Sequence, residues 1–236
     1  MYQDNTDFDR PASNEAKIWR YMDLAKLVWM LNHRCLYFTN VDKLKIEDPF
    51  EGSCQPSELL KSVPEPVAKD FARKMGSCGP PLTVNCWHIN EGESAAMWKL
   101  YAGESKGIAI QSTFGRMVKA FKEFPDDVHI GKIRYIDYQN ETFRYGPGIF
   151  EPILTKRKSF EHEQELRAVI WTTSQTTVRT DDGSVLANVD IKELIEAIRI
   201  APFSPDWYID NVQVIVKKFG LEIPVLPSEL DRQPLY

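Results

Sequence analysis

Lys156-Arg157-Lys158-Ser159-Phe160-Glu161-His162-Glu163-Gln164-Glu165-Leu166-Arg167-Ala168-Val169-Ile170-Trp171 is the stretch whose reading decides the fold. It opens as a charged helical segment and closes on an apolar run of strand formers, Leu166, Val169, Ile170 and Trp171. Side chains alternate across a strand, so a strand that starts by Glu163 sets Glu163, Glu165 and Arg167 on one face. Gln164, Leu166 and Ala168 then take the other face. A solvated sheet edge explains such a triplet at little cost. A site explains it too, because the charges stand at the mouth of a strand that then turns hydrophobic.

Around this stretch the chain reads as an ordinary globular protein. Its 236 residues can bury roughly 70–75% of their unfolded surface, enough for one substantial core. We expect residues 1–15 as a flexible polar lead-in and residues 16–236 as a single domain. Hydrophobic content of 43% and charged content of 27% are ordinary globular values, and a net charge of −5 argues against a general polyanion-binding surface, though not against a local basic patch. The acidic start lacks the apolar core of a signal peptide, and no apolar run approaches a membrane span, so a cytoplasmic setting is expected. Cys35, Cys54, Cys78 and Cys86 show no C-x-x-C spacing and fit buried thiols better than a disulfide framework.

In chain order, Ala16–Tyr21 alternates like a short strand, and Asp23 caps a helix carrying Leu24, Leu27, Val28 and Leu31. Arg20, near that strand's end, stands where α/β proteins keep ligand-binding groups; a surface arginine is the plainer reading. A strand over Arg34–Thr39 leads to the turn Asp48-Pro49-Phe50-Glu51-Gly52, where Gly52 permits a positive φ. Phe50 between two acids either plugs the core or lines a pocket. Residues 56–75 suggest a helix interrupted by Pro64 and Pro66, ended by the turn at 77–81. Leu82–Trp87 is a third strand, and Ser94 caps a helix whose Met97, Trp98 and Tyr101 share a face. That stripe is either core or a platform for a planar ring. Strands over 105–113 and 128–136, a helix from Phe114 to Phe124 and a loop at Gly146-Pro147-Gly148 follow. A hairpin signal at Asp181–Ser184, a strand at Ile195–Pro202, a helix at Pro205–Phe219 and a strand at Leu221–Leu226 complete the pattern. Hairpins mixed with single helices indicate α+β: a mixed, mostly antiparallel sheet flanked by helices.

The chain has no G-x-G-x-x-G, Walker loop, G-x-S-x-G or H-E-x-x-H. Cys86-Trp87-His88 and His33-Arg34-Cys35 match no zinc spacing, and no metal is expected. The sequence does resemble a family. Trp19-Arg20-Tyr21, Leu36–Thr39, Asp48–Gly52, Asn85-Cys86-Trp87, Met97–Ala102, Lys106–Ile110, Lys156, Phe160–Arg167 and Ser228-Glu229-Leu230 lie in the order expected of the bacterial domain-of-unknown-function family 2971. The resemblance spans nearly the whole chain. That family is in turn distantly similar to ADP-ribosyltransferases, which implies an ADP-ribosyltransferase-like fold, NAD as substrate and a protein or nucleic-acid acceptor. It also implies a toxin or phage-defence role with an antitoxin or regulatory partner.

On this resemblance Arg20 matches the early-strand arginine, which pairs with a phosphate of NAD. Ser112 stands for the middle-strand hydroxyl, within Gln111-Ser112-Thr113 rather than Ser-Thr-Ser. Glu163-Gln164-Glu165 matches the later Glu-x-Glu. Glu165 then stabilises an oxocarbenium-like ribose and Glu163 acts as general base. Tyr21, Trp98 and Tyr101 contact the cofactor, and Arg167 keeps the glutamates ionised. Two other functions fit the residues: a non-catalytic binding module with an ion-pair network, and a metal-dependent nuclease. No further acid that the sequence places beside Glu163 and Glu165 supports the latter.

Overall fold

Strand β1 (Lys17–Asp23) is covered on both faces. Ile18 and Met22 enter the main core, while Trp19 and Tyr21 pack on the opposite side with Met97, Trp98 and Ala201. Asp23 ends the strand and caps α1 (Leu24–His33), accepting from the Lys26 N–H at 2.7 Å. Arg34, at φ 51°, turns the chain into β2 (Cys35–Asn40). The remaining sheet strands are β3 (Leu82–Ile89), β4 (Gly107–Thr113), β5 (Val128–Lys132), β8 (Glu165–Trp171), β9 (Val185–Asn188), β10 (Ala197–Ile200) and β11 (Val225–Pro227). These coordinates are a computed structural model that describes residues 1–52, 64, 66, 82–103, 106–141, 150–171, 174 and 177–234. The helix expected within 56–75, the turn at 77–81, the loop at 146–148, Cys54 and Cys78 lie outside the described residues.

The sheet runs β11-β10-β4-β1-β3-β2-β9, and β8 and then β5 extend from the other edge of β3. Its β10–β11 pair is parallel and its other pairs are antiparallel. The expected mixed, mostly antiparallel α+β sheet is therefore present. A separate parallel pair joins β6 (Arg134–Ile136) to β7 (Thr155–Arg157), so the expected strand over 128–136 is broken at Ile133.

One irregularity positions the site. β3 pairs with β8 over seven residues, but its opposite edge is shared. β1 takes only Ile18↔Ile89 and Trp19↔His88, and β2 takes only Thr39↔Val84 and Asn40↔Thr83. Between these short pairings the sheet opens alongside Trp87. Asn85 bridges part of the gap by donating from Nδ2 to the Tyr37 carbonyl at 2.9 Å.

Two segments differ from expectation. The lead-in is laid against β5, with Tyr2 bridging Val128 and Phe8 buried against His129 and Phe150. The apolar Phe8 supplies the anchor that a polar average conceals. In the Asp48–Gly52 turn the acids go in and the aromatic stays out: Asp48 and Glu51 are 1% and 3% exposed, Phe50 41%. Arginine partners, described below, invert the order that hydrophobicity alone predicts.

Candidate functional site

The deciding stretch reaches the site by a different path from a single strand. Lys158–Glu163 forms a 3₁₀ turn, Gln164 takes φ 40°, and β8 starts only at Glu165. Residues before Gln164 offer no alternating apolar face to bury, so the ladder begins only at Glu165. Glu163 thus stands outside the strand, yet the turn returns it beside Glu165 and Arg167.

Arg167 is 1% exposed and uses all five of its N–H donors. Nε and Nη2 grip Glu165 at 2.5 and 3.0 Å, Nη1 and Nη2 grip Glu51 at 2.9 Å each, and Nη1 also donates to the Ile153 carbonyl at 2.8 Å. Burial by itself raises the Glu165 pKa, but Arg167 and then Lys156 outweigh it and hold the carboxyl below its ordinary value.

Lys156 completes the cluster. Its ammonium contacts Glu163, Glu51 at 3.2 Å and Glu165 at 3.5 Å, with the Phe160 ring 4.7 Å away. Glu163 also accepts from the Tyr101 hydroxyl at 2.8 Å. The cluster therefore sets three carboxylates against two cations, one formal negative charge in excess, in the lining of a cleft of about 230 Å³. Arg157 holds Asp48 at 2.9 Å beside it.

Arg20, Tyr21, Tyr101, Glu163, Glu165 and Arg167 all line this cleft. Arg20 shares the Ile18/Met22 face of β1 and reaches the opening in the sheet, 6.0 Å over the Trp87 ring. Its Nη1 is buried without a hydrogen-bond partner among the described residues, and burial lowers its pKa to about 10. Arg20 and Tyr21 also line a second cavity of about 730 Å³, walled by α1 and β2 and offering Trp29 and Tyr37. Tyr21 accepts from the Ser94 N–H at 2.8 Å.

Two expected cofactor contacts lie elsewhere. Trp98 is 3% exposed in the core against Tyr21, its indole N–H donating to Glu93 at 3.0 Å. The helix begun at Ala95 widens into a π-helix over Trp98–Ala102, which leaves Trp98 inside and Tyr101 46% exposed. Ser112 is fully buried and donates to the Leu194 carbonyl at 2.5 Å. A strand covered on both faces turns that hydroxyl into the core rather than toward the cleft.

Sequence reasoning assigned no site role to Glu51, Lys156 or His88. Glu51 had a signal, since Gly52 at φ 65° marks a fixed turn that carries it. Among the described residues no group of three or more His, Cys, Asp or Glu side chains could hold a metal ion, and no helix is long and apolar enough to cross a membrane.

No family model and no curated protein matches the chain, so the resemblance to family 2971 rests on the quoted motifs. Three solved structures of Thermus sp. 2.9 DarT are similar to it. The complex with ADP-ribosylated ssDNA has a TM-score of 0.48 at 11% identity, covering 95% of this chain and 100% of that chain. The complex with NAD+ gives 0.44 at 12% identity over 95% and 100%. The complex with carba-NAD+ gives 0.41 at 12% identity over 93% and 98%.

Proposed function

We propose that the cleft binds NAD and that the protein is an ADP-ribosyltransferase-like enzyme, breaking the nicotinamide–ribose bond and transferring ADP-ribose to a macromolecular acceptor. The observation that carries this reading is the charge of the cleft lining. The carboxylates of Glu51, Glu163 and Glu165 share it with Arg20, whose Nη1 has no hydrogen-bond partner among the described residues. NAD carries both signs that such a lining meets, a cationic nicotinamide ring at one end and a pyrophosphate further along. Arginine suits a phosphate because its fork donates two parallel hydrogen bonds.

Size agrees with a divided ligand. Pockets that enclose a whole drug-sized molecule span about 300–1,000 Å³. The cleft, at about 230 Å³, takes the nicotinamide and ribose end, and the rest passes over Arg20 into the larger cavity, where Trp29 and Tyr37 offer ring faces.

Bond breaking sends the electron pair out with nicotinamide and leaves a cation at the ribose. Glu163 is the carboxylate with capacity for it. Its two oxygens have taken one donor each, from Tyr101 and Lys156, and a carboxylate has about four acceptor positions. Glu165 is committed to Arg167 and supports the charge from behind. A toxin or phage-defence setting in the cytoplasm, with an antitoxin or regulatory partner, is what the family resemblance implies.

The test is nicotinamide release from NAD by the purified protein, with cell lysate as acceptor source. Glu163→Gln should lower the rate by about 10²–10³-fold, as removal of one positioned group does, while the melting temperature stays near wild type. No release by the wild type, together with no rise in melting temperature on adding NAD, would overturn the reading.

A further inference from the structure

Two of the three buried side-chain atoms without a hydrogen-bond partner among the described residues belong to residues that line this cleft: Arg20 Nη1 and His88 Nε2. Arg20 has a role in the proposed function. His88 has none so far.

Its chemistry follows from one contact. His88 Nδ1 lies 2.6 Å from the Glu163 carbonyl oxygen, and a carbonyl oxygen can only accept. Nδ1 therefore carries the proton of that hydrogen bond. Burial keeps the ring below the ordinary imidazole pKa, although the Glu163 carbonyl and carboxylate pull upward and His162 pulls further down. The ring is thus neutral at pH 7, and Nε2 bears a bare lone pair. Among the described residues, Glu165 stands opposite it in the β3–β8 register and the Tyr21 ring lies 6.2 Å away.

We propose that His88 Nε2 is the base that takes the proton of the ADP-ribose acceptor; this rests on the NAD reading of the cleft. Other candidates are spent. Glu51 and Glu165 are held by Arg167, Asp48 by Arg157, and the free acceptor positions of Glu163 are those assigned to the ribose cation. Glu47 stands exposed at the rim. Burial pushes the Tyr21, Tyr101 and Cys86 groups up, so each keeps its proton. His88 is also anchored on the backbone of the residue whose carboxylate meets the ribose, so base and cation stabiliser keep one geometry.

The step balances without a further reactant. The acceptor atom's lone pair forms the new bond to the ribose anomeric carbon, the bond to nicotinamide breaks with its electron pair leaving on nicotinamide, and the acceptor's proton moves to Nε2. The imidazolium then returns the proton to solvent. A base at this position fits an acceptor that is a neutral N–H or O–H group, whereas a carboxylate acceptor needs none.

Two measurements on the full chain decide it. In ¹⁵N-histidine NMR of the wild type at pH 7, His88 should show a protonated Nδ1 and a bare Nε2; a proton on Nε2 overturns the assignment. In His88→Gln the amide can still accept a hydrogen bond but cannot take the proton. Transfer of labelled ADP-ribose to lysate should then fall by about 10² or more in kcat, as loss of general base catalysis does, and the acid limb of the pH profile should vanish. The NAD-induced rise in melting temperature should persist. Unchanged transfer, or a parallel loss of NAD binding and thermal stability, overturns the assignment alone. A wild type that neither releases nicotinamide nor is stabilised by NAD overturns the NAD reading and this role with it.

Discussion

At the scale of single residues, Arg167 and Tyr101 mark the two ends of what the cluster does. Arg167 is wholly enclosed, and its removal takes five hydrogen bonds from the cluster and leaves buried Glu51 and Glu165 with the more distant Lys156 ammonium. Breaking a buried pair from one side costs about 3–5 kcal/mol, so Arg167→Met should lose that much in urea denaturation. Tyr101 is half-exposed and gives Glu163 one hydrogen bond. Tyr101→Phe should cost no more than about 1 kcal/mol by the same measurement. The contrast shows why part of the site was legible. Glu165 and Arg167 sit two apart at the start of an apolar run, and period-two spacing advertises their shared face, whereas Glu163 joins them through the turn at Gln164 rather than through strand alternation. Glu51 meets Arg167 across 116 residues of chain, and no local pattern encodes such a pairing. Ser112 illustrates the reverse error, since a hydroxyl in a sequence does not state which way it points.

Among elements, the Asp48–Gly52 turn carries the most consequence for its length. It delivers Asp48 to Arg157 and Glu51 to Arg167, and Gly52 makes it possible. A Cβ on Gly52 would lie 2.6 Å from Val41 Cγ1, on a backbone at φ 65° that side chains other than glycine's rarely adopt. Gly52→Ala should therefore destabilise by more than about 1 kcal/mol, read as a lower melting temperature, since an incompatible φ adds to overpacking. The positive φ was readable from the turn's composition; the direction of its acids was not, because their arginine partners lie a hundred residues away. The π-helix escaped the sequence for a related reason. The pattern of Met97, Trp98 and Tyr101 states an apolar stripe, but the widened turn that separates core Trp98 from cleft-lining Tyr101 is set by packing against β1 and β4.

For the whole molecule, stability should fall with acid in two stages. His88 sits below the ordinary imidazole value in the fold, so its contribution is present above about pH 6.5 and declines as pH drops toward its native pKa. Glu165 is likewise depressed, so its contribution is present above the ordinary carboxylate range near pH 4.3 and is lost as pH falls through its native value. Urea midpoints measured from pH 7 to pH 3 should decline gently and then steeply; a flat profile would contradict both. The fold class at this scale was legible from hairpins alternating with single helices. The opening between β1 and β3 was not, because it depends on how many residues two strands pair, and register is settled by the whole sheet. That opening divides the strands into β1, β4, β10 and β11 on one side and β2, β3, β5, β8 and β9 on the other. The chain passes between the two sides at β1–β2, β3–β4, β4–β5 and β9–β10. Neither wall of the cleft is a continuous piece of polypeptide. No single cut in the chain separates one wall from the other, so the site is one stitched unit of the whole chain.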